Sequence, residues 1–364
     1  MHLVLYLTYV NNNLVMVSFI KTFRYLSPFV IYYLAYLSFT GNGIFCYFPL
    51  FFVFLLVPLF EVFIQPNEKN LLETEEIVAK ENKLYDFILW LTVPLQYVFL
   101  YIFLKSFNNQ LSYYDIAGRI IAMGLLCGGF GINVAHELGH RVNKTEQFFA
   151  KSLLLTSLYM HFFIEHNKGH HKHVATPNDP STAKYKQSLY SFWLQTFQGT
   201  YVKAWQIATD DAKKQILKFP FLFNEMALFQ LIQIVFCLLI YLNFGLIIFS
   251  HFLVAAFIGA ALLETVNYIE HYGLQRQQRN DQTYERVLPA HSWNSNHVIG
   301  RLIFFELSRH SDHHYMASRK YQVLRHMEDA PQMPTGYPGM ILLALVPPVW
   351  FSVMDKQMKK YSIL

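Results

Sequence analysis

Of the 364 residues, 54% are hydrophobic and 15% charged, a balance so apolar that water is not expected to be the chain's main solvent. The net charge of +5 is small for this length, and no basic stripe is interleaved with aromatics, which argues against nucleic acid as a partner. Cys46, Cys127 and Cys237 stand far apart inside apolar stretches, offer neither a disulfide framework nor a CxxC knuckle, and are expected to be small buried hydrophobes.

Residues 1–24 form an amino-terminal tail whose apolar run is broken by Asn11, Asn12 and Asn13; with no cationic start and no small-residue cleavage site, it does not read as a cleaved signal. Six segments then have the length and apolarity to cross a bilayer core of about 30 Å, which takes roughly 20 helical residues. They are 25–42, 44–64, 86–105, 115–135, 221–242 and 245–267. Backbone groups in lipid must be satisfied within their own segment, so these are expected to be helices. Lys21 and Arg24 precede the first, whereas the links at Gly41–Gly43 and Asn243–Gly245 carry no charge and fit tight turns. The positive-inside rule therefore puts the amino terminus and the long connections 65–85, 136–220 and 268–364 in the cytoplasm.

The expected architecture is an all-α polytopic membrane protein with about six transmembrane helices, four in 25–135 and two in 221–267. Two cytoplasmic regions, 136–220 and 268–364, carry the histidine clusters. The Phe and Leu run of 47–60 suits either the lining of an apolar tunnel or a lipid-facing surface. The last apolar run, Met340–Val353, is short and contains Pro347 and Pro348, so it is expected to dock at the membrane interface rather than cross.

The 16 histidines are the anomaly, because most fall in short polar clusters. The first cluster, His136-Glu137-Leu138-Gly139-His140-Arg141, sets two imidazoles four apart on one helical face, close enough to grip one metal ion. Alone it also reads as HExxH, a zinc protease signature with Glu137 as general base. The next cluster, Glu165-His166-Asn167-Lys168-Gly169-His170-His171, offers another i, i+4 pair plus an adjacent histidine; a protease needs one further ligand, not three. His310, His313 and His314 share a helix face in Arg309-His310-Ser311-Asp312-His313-His314, and His271 ends the sixth apolar segment within Asn267-Tyr268-Ile269-Glu270-His271.

A lone histidine is more often a hydrogen-bonded core or interface residue than a ligand. Nine at these spacings are too many for one tetrahedral zinc and about right for two metals with open positions. Neutral imidazole suits Zn, Cu, Fe and Ni, and the lack of neighbouring cysteine argues against Cu(I). Glu137, Glu165, Glu270 and Asp312 each abut a cluster histidine, where a carboxylate can accept the outer ring N–H and fix the tautomer. His2, His251 and His326 are isolated, and His161, His173, His291 and His297 lie near the clusters without their spacing; all seven are expected to stand outside the metal-binding set.

With HELGHR at 136–141, EHNKGHH at 165–171, NYIEHYGLQR at 267–276 and LSRHSDHH at 307–314, the chain resembles the integral membrane alkane monooxygenases of the membrane desaturase and hydroxylase superfamily. HVATPNDPSTAK, PAHSWNSNH and the text from Tyr321 extend the likeness over roughly 115–354. Ser308, where the family often has Gln, and Arg141, where Lys is frequent, depart without removing a histidine. The resemblance implies a non-haem di-iron site held by His136, His140, His166, His170, His171, His271, His310, His313 and His314. It implies that alkane, dioxygen, two electrons and two protons give a 1-alkanol and water, with substrate drawn from the bilayer. Electrons would come from rubredoxin, kept reduced by an NAD(P)H-dependent rubredoxin reductase; with no CxxC in the chain, that donor is expected to be a separate protein. The implied setting is the bacterial inner membrane. The alternatives are a lipid desaturase or hydroxylase of the same superfamily, an intramembrane zinc protease built on HELGH, and a nonenzymatic transporter or metal store.

Overall fold

A computed structural model describes residues 16, 18–107, 110–214, 224–280 and 283–363. Helices dominate. In chain order they include α1 (Val30–Thr40, entered through the 3-10 turn Arg24–Phe29), α2 (Gly43–Phe63), α3 (Glu73–Glu81), α4 (Leu84–Lys105) and α5 (Tyr113–Gly139). Then come α6 (Lys144–Leu155), α7 (Phe162–Glu165, running into the π turn His166–His170), α8 (Leu189–Lys214) and α9 (Glu225–His271). Beyond them lie α10 (Val298–Ile303), α11 (His310–Tyr315), α12 (Tyr337–Ala344) and α13 (Pro347–Lys360). The sheet among the described residues is the exposed hairpin of β1 (Gln278–Asn280) and β2 (Thr283–Tyr284).

Local chemistry sets the starts. Ser112 Oγ accepts from the Asp115 backbone N–H at 3.2 Å while the Asp115 carboxylate takes the Ser112 N–H, a reciprocal cap that opens α5. Asn143 and Asn224 cap α6 and α9 in the simpler one-way manner.

Among the described residues, α2, α4, α5 and α9 are long and apolar enough to cross a membrane; the segment read as 25–42 does not qualify by itself. α9 is two passes. At Gly245 the backbone turns through φ 79°, a conformation natural only to glycine, and the chain folds back. Phe236 and Phe252, about 24 Å apart on a straight helix, have ring centroids 5.8 Å apart, and Tyr241 meets Phe249 at 6.2 Å. α1 lies alongside as a sixth rod, with Tyr32 against Phe99 and Phe130.

The short links gather at one end of the bundle. Gly43 N donates to Asp115 at 2.5 Å, Arg119 bonds the carbonyls of Gly41 and Ser106, and Lys105 stands 5.6 Å from the Phe244 ring. The described parts of the long connections lie at the other end. Leu231, Ile234, Leu238, Leu242, Leu246 and Ile247 are exposed along the α9 hairpin, an apolar surface suited to lipid. Cys46 and Cys127 are buried as expected, whereas Cys237 is partly exposed on that hairpin.

α5 and the second half of α9 press together through small residues. A Cβ on Gly124 would lie 2.5 Å from Ile258 Cγ2, and one on Gly259 would lie 2.5 Å from Cys127 Cβ. Two ends differ from the sequence reading. α5 continues to Gly139 through the π turn Cys127–Ile132, so His136 lies within the crossing helix instead of after it, and α9 continues to His271 rather than stopping at 267. The polar residues that mark these ends in the sequence face inward toward one another, so no lipid contact forces the helix to stop. The run after Met340 folds back on α9 as α12 and α13, with Trp350 packed 5.1 Å from Tyr268 and 5.3 Å from Tyr272. Leu342, Leu345, Val346 and Val349 stay exposed at that edge.

Candidate metal centre

Nine imidazoles converge where α5, the α7 π turn, α9 and α11 meet, and they sort into two groups. His136, His140, His166, His171 and His313 form one; His170, His271, His310 and His314 form the other, and within each group one donor atom per residue lies within 4.8 Å of every other. The division runs through the sequence clusters. Helical spacing pairs His166 with His170, but the π turn widens the register, so His166 and His171, five apart, point to one group and His170 to the other. In α11 the i, i+4 pair His310 and His314 shares a group, while His313 turns to the opposite one. The adjacent pairs His170–His171 and His313–His314 thus each address both groups.

Inner nitrogens face inner nitrogens. Nε2 of His166 stands 3.1 Å from that of His140 and 3.0 Å from that of His171, which is 3.2 Å from His313 Nε2. In the other group His170 and His314 approach to 3.2 Å and His271 and His310 to 3.3 Å. A neutral imidazole has one N–H, so these facing nitrogens cannot all be satisfied by one another. The buried His136 Nε2 has no hydrogen-bond partner at all. Burial, with the neighbouring rings adding to it, holds His140 down at about 3 and His166, His171, His313 and His314 well below their ordinary range. The rings are neutral acceptors aimed at common points, an arrangement a metal cation resolves.

His170 departs from this pattern because of Asp179, which the motif spacing did not single out. Its Oδ2 lies 2.9 Å from His170 Nδ1 and also accepts from Thr182 Oγ1 at 2.6 Å. Burial alone would lower His170, but the Asp179 carboxylate outweighs it and raises the ring, while His170 and Thr182 hold Asp179 low against its own burial. A donor at Nδ1 leaves Nε2 free for the group. The signal was present in NDPST, an Asp whose carboxylate accepts from the Ser181 backbone N–H and the Thr182 hydroxyl, two and three residues on, and so closes a turn.

The carboxylates singled out from sequence behave differently. Glu137 accepts from Arg141 at 2.5 Å and from the Tyr321 backbone N–H at 3.1 Å, and Asp312 takes Arg319 at 2.6 Å and the Arg325 N–H at 2.8 Å. Both tie down segment 316–325 and reach no imidazole by hydrogen bond. Glu165 is packed over Gly169 with its Oε1 unbonded and 3.8 Å from Lys203 Nζ, and burial pushes its carboxyl up to about 8. Glu270 does touch the site, its Oε2 lying 3.1 Å from His310 Nε2. No other described histidine joins either group: the His291 carbonyl faces His271 Nδ1 at 3.5 Å, His297 pairs with Ser295, His326 with Asn296, and His251 stacks on Phe107 at the far end. His2 lies outside the described residues.

An apolar cavity ends on this centre. Ile31, Val53, Phe54, Phe130, Leu262 and Leu263 wall it, and His136, His166, Glu270 and His310 stand on its lining. Of the run 47–60, only Val53 and Phe54 reach it. A more open groove between α2 and the second half of α9 shares Phe54, Leu262 and Ile341 with the cavity.

The family model for fatty acid desaturases matches residues 111–344. Alkane 1-monooxygenase 2 of Pseudomonas aeruginosa is 39% identical over 312 residues, 85% of this chain and 83% of that protein. This chain belongs to the alkane 1-monooxygenase branch of the fatty acid desaturase family. The alkane 1-monooxygenase of Acinetobacter baylyi is 37% identical over 305 residues, 83% of this chain and 74% of its own length. The hydroxylase component of the xylene/toluene monooxygenase of Pseudomonas putida is more distant, at 29% over 248 residues, 66% of this chain and 64% of that one. Membership in the alkane 1-monooxygenases settles the ambiguity of HELGH against the protease, and the geometry agrees: Glu137, the residue a protease would need as its base, faces Arg141 and Tyr321.

Proposed function

We propose that this chain hydroxylates the terminal methyl of medium-chain n-alkanes, with two irons held by the nine histidines and electrons supplied by rubredoxin and its NAD(P)H-dependent reductase. The observation that carries this reading is the placement of two converging imidazole groups at the inner end of an apolar cavity within the membrane-spanning bundle. The five-nitrogen group would hold one iron and the four-nitrogen group the other, leaving each with open positions. When bound, the irons supply the reductive activation of dioxygen that a side chain cannot perform.

The chain's own residues position and exclude. An alkane has no polar handle, so the walls at Val53, Phe54, Phe130 and Leu262 select by shape and bring the chain end beside His136, His166 and His310. Each buried CH₂ contributes about 0.8 kcal/mol, so two methylenes change binding on the order of tenfold. The groove bounded by Phe51, Phe54, Leu262 and Ile341 is the access route from lipid. The long connections that surround the centre carry Lys80, Lys83, Lys144, Lys168, Lys172 and Arg286, a charge bias that supports a cytoplasmic setting for this end of the bundle at a bacterial inner membrane.

The test is purification in detergent, elemental analysis, and product identification from n-octane with added rubredoxin, reductase and NADH. Iron without stoichiometric zinc, and 1-octanol as product, are expected. Zinc in place of iron, or oxygenated acyl lipid with no octanol, overturns the proposal; the latter would assign the chain to lipid hydroxylation.

A further inference from the structure

We propose that Glu270 is an oxygen ligand of the four-histidine group, held in place by the Tyr337 hydroxyl. The inference rests on the reading of that group as a metal centre. A carboxylate that merely orients a ligand histidine bonds its outer nitrogen, as Asp179 does at His170 Nδ1, 2.9 Å away. Glu270 does the opposite. Its Oε2 lies 3.1 Å from Nε2 of His310, the inner nitrogen that is also 3.3 Å from His271 Nε2, while His310 Nδ1 is buried and without a partner. Glu270 therefore stands on the metal side of the ring.

The rest of its surroundings match. Glu270 is 1% exposed, and among the described residues its one ion-pair partner is the His310 ring; no Lys or Arg reaches it. A carboxylate so placed calls for a cation, and a divalent metal at the four nitrogens supplies it. Tyr337, itself buried at the start of α12, donates its hydroxyl to Oε1 in a short bond, which leaves Oε2 for the centre. The donor count is then even. The other group has five nitrogens, and this one has four nitrogens and an oxygen. Glu270 also lines the cavity, so the oxygen donor lies on the side from which the alkane arrives.

The experiment uses the full chain, ⁵⁷Fe-loaded and reduced, and compares the parent with Glu270→Gln and Tyr337→Phe by iron content and Mössbauer spectroscopy. The parent should show two ferrous doublets of equal area, one from a nitrogen-only site and one from a mixed site. Gln preserves shape and can still accept from Tyr337, so a packing role predicts no change. As a ligand, Glu270→Gln loses or displaces the mixed-site doublet alone, with iron falling toward one per chain, and Tyr337→Phe shifts the same doublet while retaining iron. Two unaltered doublets in Glu270→Gln overturn the assignment of Glu270 while leaving the metal centre standing. If Glu270→Gln does not fold, Tyr337→Phe decides: a parent-like spectrum there overturns the proposal. A parent with no iron overturns the centre and this proposal together.

Discussion

Asp179 shows what one side chain does here. Its carboxylate fixes His170 with Nδ1–H outward and Nε2 inward, so Asp179→Asn removes the charge that selects that tautomer. We expect iron affinity to fall roughly 10- to 100-fold, read as iron retained after challenge with a graded chelator. Glu137→Gln should behave otherwise. It weakens the contacts to Arg141 and the Tyr321 N–H, so it should lower the melting temperature, by about 1–3 kcal/mol of stability, while iron content in the folded fraction stays at the parent value. His271→Ala takes one nitrogen from the four-nitrogen group and should reduce both iron and 1-octanol, whereas His251→Ala, whose ring stacks on Phe107 away from both groups, should change neither. Equal effects in those two variants would refute the grouping. The convergence of the nine histidines was legible because polar rings repeated at helical spacing inside an apolar chain have few other uses. The roles of the neighbouring carboxylates were not, because adjacency in sequence does not say which way a side chain leaves a helix.

At the scale of elements, the π turn is the part the sequence concealed. EHNKGHH looks like an ordinary i, i+4 pair, and only the wider turn sends His166 and His171 to one group and His170 to the other. Inserting one alanine after Asn167 sets His166 and His171 six apart, a spacing that brings two side chains to one face in neither an α nor a π turn, so iron should be lost while helix content by circular dichroism remains. Apart from 25–42, which does not qualify as a span, the apolar segments were readable to within a few residues among the described residues, since length and apolarity are imposed by the bilayer. Their inner ends were not: α5 and α9 run on into polar motifs that satisfy one another. The α5–α9 seam offers a second test. Gly259→Val sets new atoms against Cys127 and should destabilise by about 1–3 kcal/mol, read as a lower melting temperature in detergent.

For the molecule as a whole, composition announced the solvent and the motifs announced the chemistry, but the cavity had no signature. Its walls come from α1, α2, α5, α7, α9, α10, α12 and the turn into α11, and the sequence cannot say which apolar residues face inward. Leu262 belongs to both cavity and groove. Leu262→Trp should narrow that shared wall and move the product profile from a mixed C6–C12 alkane pool toward shorter chains, at about 0.8 kcal/mol for each methylene excluded. An unchanged profile would rule out this wall as the gauge of chain length.

On the proposed route, the shared wall also makes the two directions of travel unequal. An alkane slides inward as pure hydrocarbon, but the alcohol begins its return with its hydroxyl at the innermost point, beside the histidines. It must leave tail first, drawing the hydroxyl along an apolar wall where a polar group without a partner costs about 1–3 kcal/mol. The passage thus works as a one-sided brake: it slows departure rather than arrival, and it hands the alcohol to the bilayer, where its tail is already dissolved, before water ever meets it.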